Sequence, residues 1–279
     1  MDMITYILFI AFLTLVILVS YIFILKRQRL PQQQHLQDNF AASSQNLVVV
    51  TSVINTIQDR LKYGEHKDHT VTRSIFSSDE RLEQTVKTIE SVKLKIPSAF
   101  IVVVDGSQDD LGRGITERLL GAGCDYVYRP DRLDIVNGTN KSLGEITLIL
   151  DFLDSTYFKK LVTVNALATF NKISGRYFLT DAFDFSRYPI DSAVYKSNYI
   201  RKETRYYRIP MADIEIYKER LVQGSRDPAI LNVSKDIETF DIFIGLPNVS
   251  PVVNPDMLGV SGFIAVRNEF VEDFGVFAD

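Results

Sequence analysis

The chain opens on an uncharged stretch, Ile4 to Leu25, built mainly from Ile, Leu, Phe and Val. At a rise of about 1.5 Å per residue, its 22 residues reach roughly 33 Å as a helix, enough to cross a hydrocarbon core of about 30 Å. A secretory signal needs a basic region before the apolar run and small residues after it. Here Asp2 precedes the run, and Lys26, Arg27 and Arg29 follow it. The pattern predicts an uncleaved transmembrane helix, with residues 1–29 as anchor and basic flank. Basic flanks stay on the cytoplasmic side, so a single-pass protein with its body in the cytosol is expected. Residues 30–46 hold Pro31, a run of glutamines, His35 and Gln37, with no apolar period, which suits a polar tether.

From Leu47 to the C-terminus about 230 residues remain, enough for one α/β domain with a sizeable core. Leu47 to Val53 is a continuous β-branched run, the mark of a buried parallel strand. Ser77 and Glu80 form a capping box ahead of a helix from Asp79 to Leu94, with Leu82, Val86 and Ile89 near one face. Ala99 to Val104 predicts a second buried strand, ending at Asp105. A helix near Ile115–Leu120, a strand at Tyr126–Tyr128, a helix near Leu143–Leu153 and a strand at Leu167–Ile173 are expected to follow. This alternation predicts a mostly parallel, nucleotide-binding type of sheet flanked by helices. Beyond Asp184 the pattern is more mixed. Strands are expected at Ala193–Lys196 and Thr204–Ile209, a strand or loop-strand at Gly259–Val266, and helices at Met211–Val222 and near Asn268–Phe274.

A net charge of −4 and a pI near 5.5 argue against a general nucleic-acid surface. The single cysteine, Cys124, cannot form an intrachain disulfide, in keeping with a cytosolic body. Four Asn-x-Ser/Thr sequons, at Asn137, Asn140, Asn232 and Asn248, would matter only in a lumenal domain. The three histidines, His35, His66 and His69, form no zinc pattern, and no phosphate loop, Gly-x-Gly-x-x-Gly or Gly-x-Ser-x-Gly is present.

The densest candidate chemistry lies where the strand ending at Ile173 meets Ser174-Gly175-Arg176-Tyr177, with Lys172 before it and Asp181 and Asp184 after it. Ligands of open α/β sheets bind at strand ends, and Arg176 offers a planar fork suited to phosphate. The same cluster also reads as a solvated strand end. Asp105 at the second strand's end could accept hydrogen bonds from a ribose or base, or simply form the turn before Gly106. Lys141 to Glu145 open a helix whose N-terminus favours anions, with Lys141 beside a diphosphate and Ser142 as the competing N-cap reading. Arg73, ahead of the first capped helix, could point the same way. Asp181 and Asp184 are candidates for Mg²⁺ or Mn²⁺, which bind through carboxylate oxygens and bridge phosphates.

Several blocks carry a resemblance. They are Val49 to Thr56; Thr72 to Phe76 with Glu80-Arg81 and Gln84-Thr85; Thr88 to Ser91 followed by Lys95-Ile96-Pro97; Lys141 to Glu145; Lys172 to Leu179; and Leu258 to Val260 with Gly262 to Ala265. In this order they resemble a family of GT-A-type glycosyltransferases found in chloroviruses, which are large algal DNA viruses, and in some bacteria. The likeness covers nearly the whole of residues 47–279. It implies a GT-A-like domain with a nucleotide-binding sheet and a mixed acceptor half. It also implies transfer of a hexose or pentose, xylose among them, from a nucleotide-sugar donor, a UDP-sugar first, to a glycan or glycoprotein acceptor.

The resemblance places Thr51, Ser52, Arg73, Lys141, Gly144, Glu145, Lys172, Ser174, Gly175, Arg176 and Tyr177 around the donor, to which the strand-end reading adds Asp105. Cations would stabilise the leaving diphosphate, and a carboxylate base near the acceptor hydroxyl would be Asp184 or Asp256. The chain departs from the usual pattern in lacking a strict Asp-any-Asp, which leaves metal dependence open. A non-catalytic, membrane-tethered binding protein of the same fold is the rival from another class. A sulfo- or nucleotidyltransferase is the rival enzyme.

Overall fold

The computed structural model describes residues 46–56, 60–61, 71–72, 74–138, 140–197, 202–226, 251–264 and 269–272, all within one compact unit, Ser43–Asp279. The expected membrane span, Arg73 and the sequons at Asn232 and Asn248 lie outside the described residues, as does the tether up to residue 45. No helix among the described residues is long and apolar enough to cross a membrane.

The order begins with β1 (Asn46–Ser52), a small ribbon of β2 (Arg60–Leu61) and β3 (Val71–Thr72), and α1 (Ser78–Lys95). It continues with β4 (Ala99–Asp105), α2 (Gly112–Gly121), β5 (Tyr126–Tyr128), α3 (Leu133–Val136), α4 (Lys141–Asp154) and α5 (Thr156–Val164). Then come β6 (Thr169–Ser174), β7 (Tyr177–Leu179), β8 (Ala193–Ser197), β9 (Lys202–Pro210) and α6 (Ile214–Gly224). The last strands are β10 (Val252–Val253), β11 (Val260–Ile264) and β12 (Glu269–Val271).

Seven strands form the central sheet in the order β10-β8-β9-β6-β1-β4-β5. β1 pairs in parallel with β4 and β6, β4 with β5, and β10 with β8, whereas β9 runs antiparallel to both β6 and β8. Every strand but β9 therefore points the same way. This is the mixed α/β class, with a mostly parallel sheet flanked by helices, that the alternation of strands and helices predicts. All seven residues of β1 are buried, because both of its faces are covered. Val48 and Val50 join the core shared with Leu82, Ile89 and Val92 of α1. With a period of two, Leu47 and Val49 face the opposite layer. Ile146, Ile149 and Phe152 of α4 and Leu161 of α5 are buried in the helices that complete the domain.

α1 begins as its sequence dictates. The Ser77 hydroxyl accepts from Glu80 N at 3.3 Å, and Ser77 N donates to the Glu80 carboxylate at 2.8 Å. The turn expected after Ile173 is present at Gly175-Arg176, and it leads straight into β7, a strand the pattern does not predict, which pairs with β11 in a second, three-stranded sheet. The helix expected near Asn268–Phe274 is replaced at residues 269–271 by β12, whose register pairs Phe270 with Phe263. Two helices, α3 and α5, were not expected from the pattern at all.

Cys124 is buried beside Ile101 and Leu119, and burial pushes its thiol up to about 12. The folded pKa is raised, so the stability it contributes is complete below the unfolded thiol's value of about 8.5 and is lost as pH rises toward 12. Between pH 8 and 9.5 the unfolding midpoint of the wild type should fall more steeply than that of Cys124→Ala. Parallel pH profiles for the two proteins would contradict this placement of the thiol.

Candidate functional site

After β1 the chain moves outward through β4 and β5, then returns to the other side of β1 as β6. The strand order reverses between β1 and β6, and open sheets of this kind bind ligands outside the strand ends at such a reversal. The register sets Thr51 beside Ser174, so both strands finish at the same level. A cleft of about 140 Å³ opens there. Thr51 and Ser52 line it from β1 and Val53 from just beyond it, Ser174 and Arg176 from the β6–β7 turn, Arg81 from α1, and Lys141, Gly144 and Glu145 from the start of α4.

The turn is held from two directions. Gly175 N donates to Thr51 O at 2.8 Å, which extends the β1–β6 ladder beyond the strand. A polar stripe on α1 holds the other side. The Thr85 hydroxyl lies 3.2 Å from Gly175 O, the Thr88 hydroxyl donates to Tyr177 O at 2.7 Å, and Leu179 N donates to the Ser91 hydroxyl at 3.0 Å. A Cβ on Gly175 would stand 3.0 Å from Thr85 Oγ1 and 3.3 Å from Thr51 O, so the close approach of turn and helix favours glycine there. On the opposite wall, a Cβ on Gly144 would meet Val136 O at 2.6 Å, so only a glycine lets α4 begin so near α3. Asn140 caps α4, accepting from Leu143 N at 3.0 Å, and directs the positive end of the helix dipole to the cleft.

Arg81 is the charged lining residue that sequence reasoning passed over, together with the uncharged Thr56 and Ser74. It is only 6 % exposed, and its Nε donates to Val53 O at 3.2 Å. Burial, then repulsion by Arg176, pushes its pKa down to about 9, with Asp105 and Tyr177 pulling the other way. At neutral pH it remains charged. No carboxylate among the described residues lies within ion-pair distance of either arginine. Arg176 instead donates to Phe263 O at 3.3 Å and lies 5.2 Å from the centre of the Tyr177 ring, with Arg205 5.5 Å from the same ring.

Lys172 is wholly buried behind the cleft, where its ammonium pairs with Glu145 and donates to the Ser174 hydroxyl and to Thr204 O, each at 2.7 Å. It fixes the wall and the orientation of Glu145 and does not itself line the cleft.

Of the expected donor residues, the structure brings Thr51, Ser52, Lys141, Gly144, Glu145, Ser174 and Arg176 together on one cleft. Gly175, Lys172 and the buried Tyr177 support it from behind. Asp105 is 2 % exposed, and its two oxygens accept from Ile54 N at 3.0 Å and Ser107 N at 2.9 Å, so it ties the loops after β1 and β4 together. That is the turn-forming alternative for this residue.

Asp181 and Asp184 do not line the cleft. Asp181 is exposed and pairs with Lys95 at 2.7 Å, which holds its carboxyl below the usual range. Asp184 accepts from the hydroxyl and amide of Ser186, which lowers it likewise. Asp256 is exposed and is not a lining residue either, and both Asp184 and Asp256 act electrostatically on Tyr188. No group of three His, Cys, Asp or Glu among the described residues is placed to share a metal ion.

The amide groups of Asn137 and Asn140 are both used within the fold. Asn137 donates to Gly106 O at 2.8 Å, and Asn140 serves as the cap of α4. No family model matches the chain, and no curated protein matches it.

Replacing Lys172 by Met should leave Glu145 facing an apolar wall, at a cost near the low end of about 3–5 kcal/mol because Glu145 retains some solvent. Pairing the change with Glu145→Leu should recover part of that loss. Denaturant unfolding of the two variants checks this, and a loss below about 1 kcal/mol for Lys172→Met would mean that the pair does not organise the wall.

Proposed function

We propose that the cleft binds the diphosphate of a nucleotide-sugar donor and that the protein is a glycosyltransferase acting on a glycan or glycoprotein acceptor. The observation that carries this reading is the pair Arg81 and Arg176, two charged guanidinium groups on one cleft with no carboxylate partner among the described residues. Burying one charge, Arg81, beside the like charge of the half-buried Arg176 is costly unless an anion joins them. Lys141 and the N-terminus of α4 add to the same positive field.

The sheet order and the mixed second half are compatible with the GT-A-like layout that the resemblance implies. In the transfer, the bond between the anomeric carbon and the β-phosphate oxygen breaks, and the acceptor oxygen bonds to that carbon. The acceptor's proton goes to a base, and the nucleoside diphosphate leaves as the anion the arginines stabilise.

A second reading, a nucleotide-sugar-binding protein without transfer activity, is favoured by one observation. Neither Asp184 nor Asp256, the expected bases, lines the cleft. Release of nucleoside diphosphate from a UDP-sugar in the presence of acceptor glycan separates the two readings.

Replacing Arg176 by Lys keeps the charge but loses the two-pronged contact, so donor affinity should fall. Arg176→Ala should cost more, on the order of 2–3 kcal/mol for a charge-assisted contact. Donor-induced thermal stabilisation, which follows binding by mass action, measures both, with the ligand-free midpoints beside them. Normal donor binding by both variants would make Arg176 a structural residue and remove the basis of the proposal.

A further inference from the structure

The cleft combines positive charge with hydroxyl groups and a single carboxylate among its described lining residues. Mg²⁺ and Mn²⁺ are hard cations, held in nucleotide sites by one or two carboxylates together with the substrate phosphates. Among the described lining residues the one carboxylate is Glu145, and the buried ammonium of Lys172 already holds it. Asp105, buried at the end of β4 and not a lining residue, gives each oxygen to a backbone N–H. Asp181 and Asp184, the acids expected to bind metal, lie elsewhere and are engaged by Lys95 and Ser186. A divalent ion placed here would also meet two guanidinium groups, and like charges a few ångströms apart repel strongly in a partly dry site.

The same arithmetic favours a phosphate. Arg81 reaches the cleft from the first turns of α1, and Arg176 from a turn clamped by Thr85, Thr88 and Gly175, so both forks are set in place before a ligand arrives. Preorganised guanidinium groups perform the charge neutralisation that a metal performs in other phosphate sites. Resting on the nucleotide-sugar reading above, we infer that Arg81 and Arg176 hold the donor diphosphate between them and replace a divalent cation. Arg81 becomes a donor-binding residue in its own right, and donor recognition proceeds without metal.

The test is calorimetric titration of the full-length protein in detergent with UDP, GDP and ADP, each in EDTA and again with Mn²⁺. At least one nucleoside diphosphate should bind, with affinities in EDTA and Mn²⁺ that agree within about twofold. A gain of tenfold or more on adding Mn²⁺ would overturn the inference and leave the nucleotide-sugar reading standing. Absence of binding in both conditions would overturn that reading, and the inference with it. Arg81→Lys, which keeps the charge, should weaken binding at least tenfold while the unfolding midpoint shows that the protein is folded. Unchanged affinity in folded Arg81→Lys would refute the role of Arg81. Should that variant fail to fold, the comparison of EDTA with Mn²⁺ on the wild type decides the matter alone.

Discussion

Three hydroxyls on one face of α1 hold the domain's working end together. Thr85, Thr88 and Ser91 fall at helical spacing, and each meets the backbone of the segment from Gly175 to Leu179. A helix normally presents apolar side chains to a sheet. Here a polar stripe runs beside the apolar residues Leu82, Ile89 and Val92, and it satisfies backbone groups of a strand that would otherwise be buried without partners. β7 can therefore leave the central sheet and pair with β11. The turn before it is fixed against the end of β1, and Arg176 is carried to the cleft.

The remaining walls follow from equally local constraints. The reversal of strand order between β1 and β6 opens the space, and the contact of Gly144 with Val136 brings the start of α4 to its edge. The buried Lys172–Glu145 pair sets one carboxylate at the rim, oriented and already neutralised. What is left over is positive charge. Arg81 is buried beside Arg176 at an electrostatic cost that Asp105 and Tyr177 offset only in part. A bound anion would offset this charge, which is the physical basis of the phosphate site proposed above.

Much of this layout was legible from short-range pattern. The apolar runs of β1 and β4, the capping box of α1 and the small-residue turn after Ile173 all carry signals within a dozen residues. Lys141, Glu145, Ser174 and Arg176 were found because strand ends and helix starts are where such sheets bind ligands. What stayed hidden depends on distant partners. β7 is three residues long and is a strand because Val260 to Gly262 arrive beside it about eighty positions later. Phe270 belongs to a strand, not a helix, for a similar reason, because its register with Phe263 outweighs local propensity. Arg81 stands in sequence among Asp79, Glu80 and Glu83, where nothing local marks it as a site residue. Only the Gly175–Arg176 turn, some ninety residues on, makes that position an interior one. Asp181 and Asp184 misled in the opposite sense, since nearness in sequence to the Arg176 turn did not bring them to its cleft.

The central claim is that two arginines from distant segments form one diphosphate site. The most direct measurement is a crystal structure of the protein with a nucleoside diphosphate grown in the presence of EDTA. The account predicts phosphate oxygens within about 2.7–3.2 Å of guanidinium nitrogens of both Arg81 and Arg176, with the helix α4 N-terminus beside them. A diphosphate bound away from the β1–β6 reversal, or in the cleft but touching neither arginine, would contradict it.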